Sequence, residues 1–172
     1  MSGPKSPPVH TRWMLHSDKP EVVAMELDCF GVYAWDEDDF TKSLRQPNTI
    51  GMVAEVGGDI AGYMLYELRK NRLRVLNFAV SPGFRRIGVA TCMVDKLKSK
   101  LAANGRHRLM IEVSEENLGG QLFFKAKGFT ATNILKGFYD NSDQDAYLFQ
   151  FDYISAEDET LRRSELRRQA QH

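Results

Sequence analysis

Residues 76–90 read LNFAVSPGFRRIGVA. An apolar stretch ends in Ser81-Pro82-Gly83, two arginines follow, and Gly88 and Ala90 open the most regular amphipathic pattern in the chain. Gly88 supplies dihedrals closed to other residues and lets a ligand approach the backbone closely. The first N–H groups of a helix have no internal acceptors, and its dipole places partial positive charge at that end. With Arg85 and Arg86 beside them, these residues describe a phosphate cradle. They describe an ordinary strand–turn–helix with solvated arginines equally well. Further along, Glu112 lies mid-strand: alternation puts Leu109, Ile111 and Val113 on one face and Met110, Glu112 and Ser114 on the other. In a sheet covered on both faces such a glutamate must reach a cleft or find a partner; a solvated strand edge is the alternative. Cys29 and Cys92 have no metal-ligand spacing around them. Cys92 reads as packing, and His16 and His107, at element ends, as surface residues. Acids offset Arg162-Arg163 and Arg167-Arg168, as on a solvated helix face.

Hydrophobic periodicity supplies the scaffold these residues need. A strand is expected over 9–16. A helix opens at Asp18, where Glu21 completes a capping-box pattern and Pro20 is tolerated in the first turn. Val22, Val23, Met25, Leu27 and Phe30 give it a broad apolar stripe. A second helix starts at Asp36, with Asp39 at its positive end and Trp35 and Phe40 at the positions of a hydrophobic staple; it ends before Pro47. Strands over 50–56 and 60–67 flank Gly57-Gly58-Asp59, a tight-hairpin signal, and another strand covers 72–80. The helix over 88–103 repeats Val89, Met93, Leu97 and Leu101 every four residues, with Asp95, Lys96, Lys98 and Lys100 assigned to its outer side. There follow a strand over 108–114, a helix over 117–127 closed by Gly128, a strand over 129–135, a loop rich in Asp and Asn, and a last strand over 146–153. From Ser155 onward only Leu161 and Leu166 are large and apolar, so an exposed or frayed helical tail is expected. The order β-α-α-β-β-β-α-β-α-β-β excludes a purely parallel wound sheet and predicts a mixed α/β sheet with helices on both faces.

The 172 residues amount to about one domain, expected as a disordered lead-in over 1–8, a domain over 9–154 and a charged tail over 155–172. Lys+Arg and Asp+Glu both number 23, and this zero net charge argues against a nucleic-acid or membrane-surface partner. Two cysteines are too few for a disulfide framework. No apolar run approaches the ~20 residues that span a bilayer, and the start lacks the apolar centre of a signal peptide. A soluble, cytoplasmic protein that uses no metal is expected.

The run Arg85-Arg86-Ile87-Gly88-Val89-Ala90 matches the (Gln/Arg)-x-x-Gly-x-(Gly/Ala) acetyl-CoA signature of the GNAT N-acetyltransferase superfamily. It has neither the Gly-Lys-Ser/Thr of Walker loops nor the three-glycine spacing of kinase loops. Asn77-Phe78-Ala79-Val80 resembles the family's fourth strand, and Ile111-Glu112-Val113, Asn117 and Gly128-Phe129 match landmarks beyond it. Within the superfamily the chain is similar to protein N-terminal acetyltransferases of the bacterial ribosomal-protein-alanine type. Tyr33-Ala34-Trp35-Asp36, with Phe40, resembles their Phe-Pro-Trp-Ser stretch lining the peptide groove. Phe138-Tyr139, followed by acidic residues and Asp145-Ala146, resembles their Tyr-Tyr…Glu-Asp-Ala loop.

The resemblance implies a GNAT-like, mostly antiparallel sheet of about seven strands, with a V-shaped splay between the fourth and fifth, and acetyl-CoA as cosubstrate. It implies that backbone groups of Phe78, Ala79 and Val80 hold the pantetheine arm. Arg85, Arg86, Ile87, Gly88, Val89, Ala90 and Thr91 would hold the pyrophosphate, and Asn117 would contact the cofactor. Glu112 matches the general base, usually acting through a water, and Tyr33, Trp35 and Tyr139 would line the acceptor site. The family's thiolate-protonating tyrosine corresponds to Phe124, which has no exchangeable proton, so that role falls to Tyr139 or to water. The implied reaction is acetyl transfer to a primary amine, foremost the N-terminal amine of a protein such as a ribosomal protein. Alternatives are a small-molecule amine, a lysine side chain, or a catalytically reduced acyl-CoA-binding domain. A monomer or a dimer is expected.

Overall fold

The computed structural model describes residue 5 and residues 7–140 and 143–170; most of the lead-in expected over 1–8 lies outside them. The elements are β1 (Val9–Trp13), α1 (Lys19–Phe30), α2 (Glu37–Leu44), β2 (Thr49–Val56), β3 (Asp59–Leu68), β4 (Arg72–Val80), α3 (Val89–Ala103), β5 (Arg108–Ser114), α4 (Leu118–Ala126), β6 (Thr130–Leu135), β7 (Ala146–Asp152) and α5 (Ala156–Gln169). The strands form one seven-stranded sheet in the order β1-β2-β3-β4-β5-β7-β6. Every neighbouring pair is antiparallel except β4 and β5, which run parallel with α3 as their crossover. This is the mixed, mostly antiparallel sheet expected.

Helices cover both faces. On one, Val22 and Met25 of α1 and Phe40 of α2 pack with Val53, Tyr63, Leu65 and Ala79. On the other, Val89, Met93, Leu97 and Leu101 of α3 and Phe124 of α4 pack with Ala54, Met64, Val75, Leu109 and Ile111. Gly62 allows α3 this close: a Cβ there would lie 2.9 Å from the Ala79 carbonyl oxygen and 3.3 Å from Met93 Sδ. The start of α2 is built as its sequence implies. Asp36 accepts the Asp39 N–H at 2.9 Å, Asp39 accepts the Asp36 N–H at 3.0 Å, and the Trp35 and Phe40 rings meet edge-on at 5.5 Å.

Three local expectations need correction. Asp18 does not cap α1 with its side chain. Its carboxylate instead accepts the Leu15 N–H at 2.7 Å and the Arg12 guanidinium at 2.7 and 2.9 Å. Arg12 also grips Glu55 on β2 at 2.9 Å, so β1 stops at Trp13 and a short 3-10 turn, His16–Asp18, leads into α1. The arginine holds the Asp18 carboxyl below its ordinary range. In α1, Leu27 is exposed while Glu26 is buried, the reverse of the apolar stripe read from the sequence. In α3, Lys98 and Lys100 are half-buried rather than outward. Lys98 Nζ lies 4.1 Å from the centre of the Phe151 ring and Lys100 Nζ 4.5 Å from that of Trp13, their stems covering apolar surface on the way. The tail is a formed helix, α5, capped by Ser155 and laced by a Glu159–Arg163 pair; of its residues only Ser164 is half-buried and the rest are exposed. Among the described residues no helix is long and apolar enough to cross a membrane.

Candidate active site

Pairing between β4 and β5 runs only from Arg72↔Arg108 to Val75↔Ile111. There β4 is irregular: Tyr66 pairs with Val75 but Leu65 with Asn77, leaving Leu76 as an extra residue. A bulge of this kind bends the strand that carries it. Beyond it, residues 76–80 of β4 and 112–114 of β5 part without a strand between them, which is the expected splay. The freed edge of β4 holds backbone groups of Phe78, Ala79 and Val80 that no strand on that side pairs with, as an extended amide-bearing ligand requires.

The turn after β4 offers a candidate anion site. Arg86, at φ +64°, is the single non-glycine residue with positive φ among the described residues, and Gly88 follows at φ +90°. Left-handed residues so placed turn successive N–H groups inward as a nest, and strain of this kind concentrates at ligand sites. The Cys92 N–H makes a 2.9 Å bond to the Gly88 carbonyl, so the N–H groups of Val89, Ala90 and Thr91 precede the helix's own ladder. A Cβ at Gly88 would meet nothing within 4 Å. Positive φ is therefore what calls for glycine there, and the space beside it is open to a phosphate. Backbone donors, open volume and charge together fit a pyrophosphate.

The two arginines divide their work. Arg85 Nε donates to the Val80 carbonyl at 3.1 Å and its Nη2 lies 3.6 Å from Cys29 Sγ, so Arg85 braces the turn against β4 and α1. Arg86 is exposed and makes no side-chain hydrogen bond or ion pair among the described residues. Asn117 is the N-cap of α4, with Oδ1 accepting the Gly120 N–H at 2.9 Å, which leaves its NH2 group for a ligand. Phe124 is 5% exposed and sits among the rings of Phe78, Phe123 and Phe129 at 6.2, 5.1 and 5.1 Å.

Glu112 extends from the separated end of β5 and is gripped by a residue the sequence reading missed. Arg74 on β4 places Nε at 3.0 Å and Nη2 at 2.8 Å from one carboxylate oxygen, Oε1. The other, Oε2, makes no hydrogen bond among the described residues. Such a grip fixes the carboxylate and leaves one oxygen for a water or an amine. The half-buried Tyr139 phenol is pushed above its usual range, first by burial and then by the charge of Glu112, so the two residues are within electrostatic reach.

Across the cleft a cavity of about 490 Å³ opens between the α1–α2 connection and the β6–β7 loop, lined by Tyr33, Ala34, Trp35, Asp39, Phe138, Tyr139 and Asp140 among others. The structure thus brings Tyr33, Trp35 and Tyr139 together from opposite ends of the chain. Behind this wall lies Glu26, 1% exposed. It accepts the Trp35 N–H at 2.8 Å on Oε1, and Asn77 Nδ2 at 3.0 Å and the Tyr63 hydroxyl on Oε2. No spacing signal marks Glu26 in the sequence, where it reads as a polar flank beside Met25.

A parallel β4/β5 pair that separates, with a backbone nest opening the helix between those strands, is the arrangement that the resemblance to the acetyl-CoA-using superfamily implies. Residues 18–129 match the model of the acetyltransferase (GNAT) family, and the chain belongs to that family. It is 32% identical over 103 residues to acetyltransferase YE1169 of Yersinia enterocolitica, spanning 59% of this chain and 73% of that protein. Its fold is similar to that of the ribosomal-protein-S18-alanine N-acetyltransferase from Escherichia coli, with TM-score 0.76 and 18% identity over 87% of this chain and 97% of that one. It is also similar to Arabidopsis thaliana NAA60 in complex with acetyl-CoA, with TM-score 0.71 and 16% identity over 84% of this chain and 98% of that one. The chain is an acetyltransferase by family, and acetyl-CoA is the family's donor.

Proposed function

We propose that this protein transfers the acetyl group of acetyl-CoA to the N-terminal amine of a protein. The observation that carries the reading is the acceptor wall: Tyr33 and Trp35 stand opposite Phe138 and Tyr139 around an open cavity beside the splay. An aromatic cleft of this shape admits an extended chain end, and the fold's likeness to a ribosomal-protein-alanine enzyme agrees with it. In this reading the nest at residues 86–91 holds the pyrophosphate, the free edge at Phe78, Ala79 and Val80 holds the pantetheine, and Asn117 adds a contact. Fixing thioester and amine side by side makes their reaction effectively unimolecular. Glu112, held by Arg74, takes a proton from the ammonium through a water. The amine nitrogen then attacks the thioester carbon, the carbon–sulfur bond breaks, the departing thiolate takes a proton from Tyr139 or from water, and the nitrogen's surplus proton passes through water to restore that donor. The products are an amide and free CoA. A cytoplasmic location belongs to the same proposal.

A small-molecule amine is the second reading, since the cavity volume falls within the range of small-ligand sites. Thiol release measured with acetyl-CoA and a panel of free N-terminal peptides, polyamines and aminoglycosides separates the two. Turnover on peptides supports the first; turnover on small amines with none on peptides rejects it.

A further inference from the structure

We infer that Glu26 is a positioning residue: its buried carboxylate braces the acceptor wall to the cofactor strand by holding the Trp35 backbone. The inference rests on the proposed acceptor site, because it assigns Glu26 a role in shaping it. Three donors from three elements converge on this one group: the Trp35 N–H from the α1–α2 connection, Asn77 Nδ2 from β4 and the Tyr63 hydroxyl from β3. Asn77 lies next to Phe78 on the edge that faces the splay, so one carboxylate ties the two sides of the cleft together.

Besides this bond the connection is held by the Ala34 N–H on the Gly31 carbonyl at 3.1 Å and by the Trp35 ring against Phe40. Gly31, Val32 and Tyr33 are exposed, Val32 at 94%, as is Asp36 on the far side of Trp35. A carboxylate excluded from water is kept only when its acceptor capacity is matched by donors. A proton added to Oε2 is met by the Tyr63 hydroxyl, which can accept as well as donate and has Asn77 Oδ1 at 3.4 Å as another acceptor; protonation therefore changes the charge beside Trp35 and leaves Oε1 to hold its N–H.

The charged and titratable groups around Glu26 favour such protonation. Asp39 on α2 adds negative charge, Tyr63 faces it from β3, and among the described residues no cation hydrogen-bonds it; Cys29 on its own helix feels its charge. Burial, foremost, raises the carboxyl above the ordinary glutamate range, against the opposing pull of the Trp35 and Asn77 hydrogen bonds.

The chain has two tryptophans, so a Trp13→Phe background makes Trp35 the sole reporter. Its emission is titrated from about pH 8 to about pH 4, spanning the ordinary glutamate range and above. The expected result is a transition above the pH of an exposed glutamate, absent when Glu26→Gln is added. Superimposable curves with and without Glu26→Gln overturn the proposal. Steady-state kinetics give the second arm. Glu26→Met, which removes the acceptor oxygens, raises acceptor KM by about tenfold with kcat and acetyl-CoA affinity within about twofold. Glu26→Gln, which keeps an oxygen for the Trp35 N–H, restores most of that loss. An unchanged KM in Glu26→Met overturns the brace. If Glu26→Met does not fold, the Trp35 titration decides alone. If no amine is acetylated, the functional reading fails, and the titration still tests the brace.

Discussion

The donor side of the cleft is made of backbone and the acceptor side of side chains. In the proposed function a phosphate is held by N–H groups at the start of α3, in a turn whose dihedrals demand Gly88, and the pantetheine lies on an edge that a bulge at Leu76 frees by parting β4 from β5. The acceptor wall is four aromatic rings from two connections more than a hundred residues apart, closed from behind by one buried glutamate. A site made of backbone constrains which residue types may occupy a few consecutive positions. A site made of side chains constrains only where distant residues meet. The first can stay fixed while the second varies, which suits a family with one donor and many acceptors.

That contrast can be broken most forcefully at the proposed base. Glu112→Gln is expected to lower kcat by about 10²- to 10⁴-fold, the usual worth of a positioned base, with acetyl-CoA affinity little changed in calorimetry. A variant with wild-type turnover and pH–rate profile would remove Glu112 from the reaction. Next in size is the backbone side. Gly88→Val forces a β-branched residue to φ +90° and fills the open space beside the nest. Acetyl-CoA affinity should fall by about ten- to a hundredfold, the order of one to a few kcal/mol of strain, while the circular dichroism spectrum is retained. Tyr139→Phe comes third: it keeps the ring and deletes the hydroxyl. If the phenol protonates the thiolate, kcat falls by about tenfold with acceptor KM unchanged; a raised KM alone reassigns Tyr139 to binding.

The smallest effect is on stability. Glu26 has a folded-state pKa raised above its unfolded value, so in the window between the two the folded state binds more protons and this group's contribution to stability rises as pH falls. Thermal unfolding of Glu26→Gln should lack that component and show a modestly higher Tm at neutral pH. An unchanged Tm–pH profile would mean that burial does not shift this carboxyl.

Legibility in the sequence divides along the same line. Element order, the α2 cap and staple, the hairpin and the four-residue apolar repeat of α3 all follow from local periodicity, and the Arg85–Ala90 run carries its own signature. The failures are tertiary. Asp18 was legible as a cap only until Arg12, from another element, took its carboxylate. Lys98 and Lys100 read as outward charges because a pattern cannot show stems lying over Phe151 and Trp13. Arg74 and Glu112 are 38 positions apart and meet only through the β4/β5 register. Glu26 left no trace, since helical periodicity scores a glutamate as solvent-facing whatever donors surround it.

The account turns on which amine receives the acetyl group. One peptide carrying both a free N-terminal amine and an internal lysine, incubated with the enzyme and acetyl-CoA and sequenced by tandem mass spectrometry, answers this directly. Acetylation of the α-amine, abolished when that amine is blocked in advance, is the predicted result. Acetyl groups on the lysine alone, or an unmodified peptide beside acetylated small amines in parallel reactions, would contradict it.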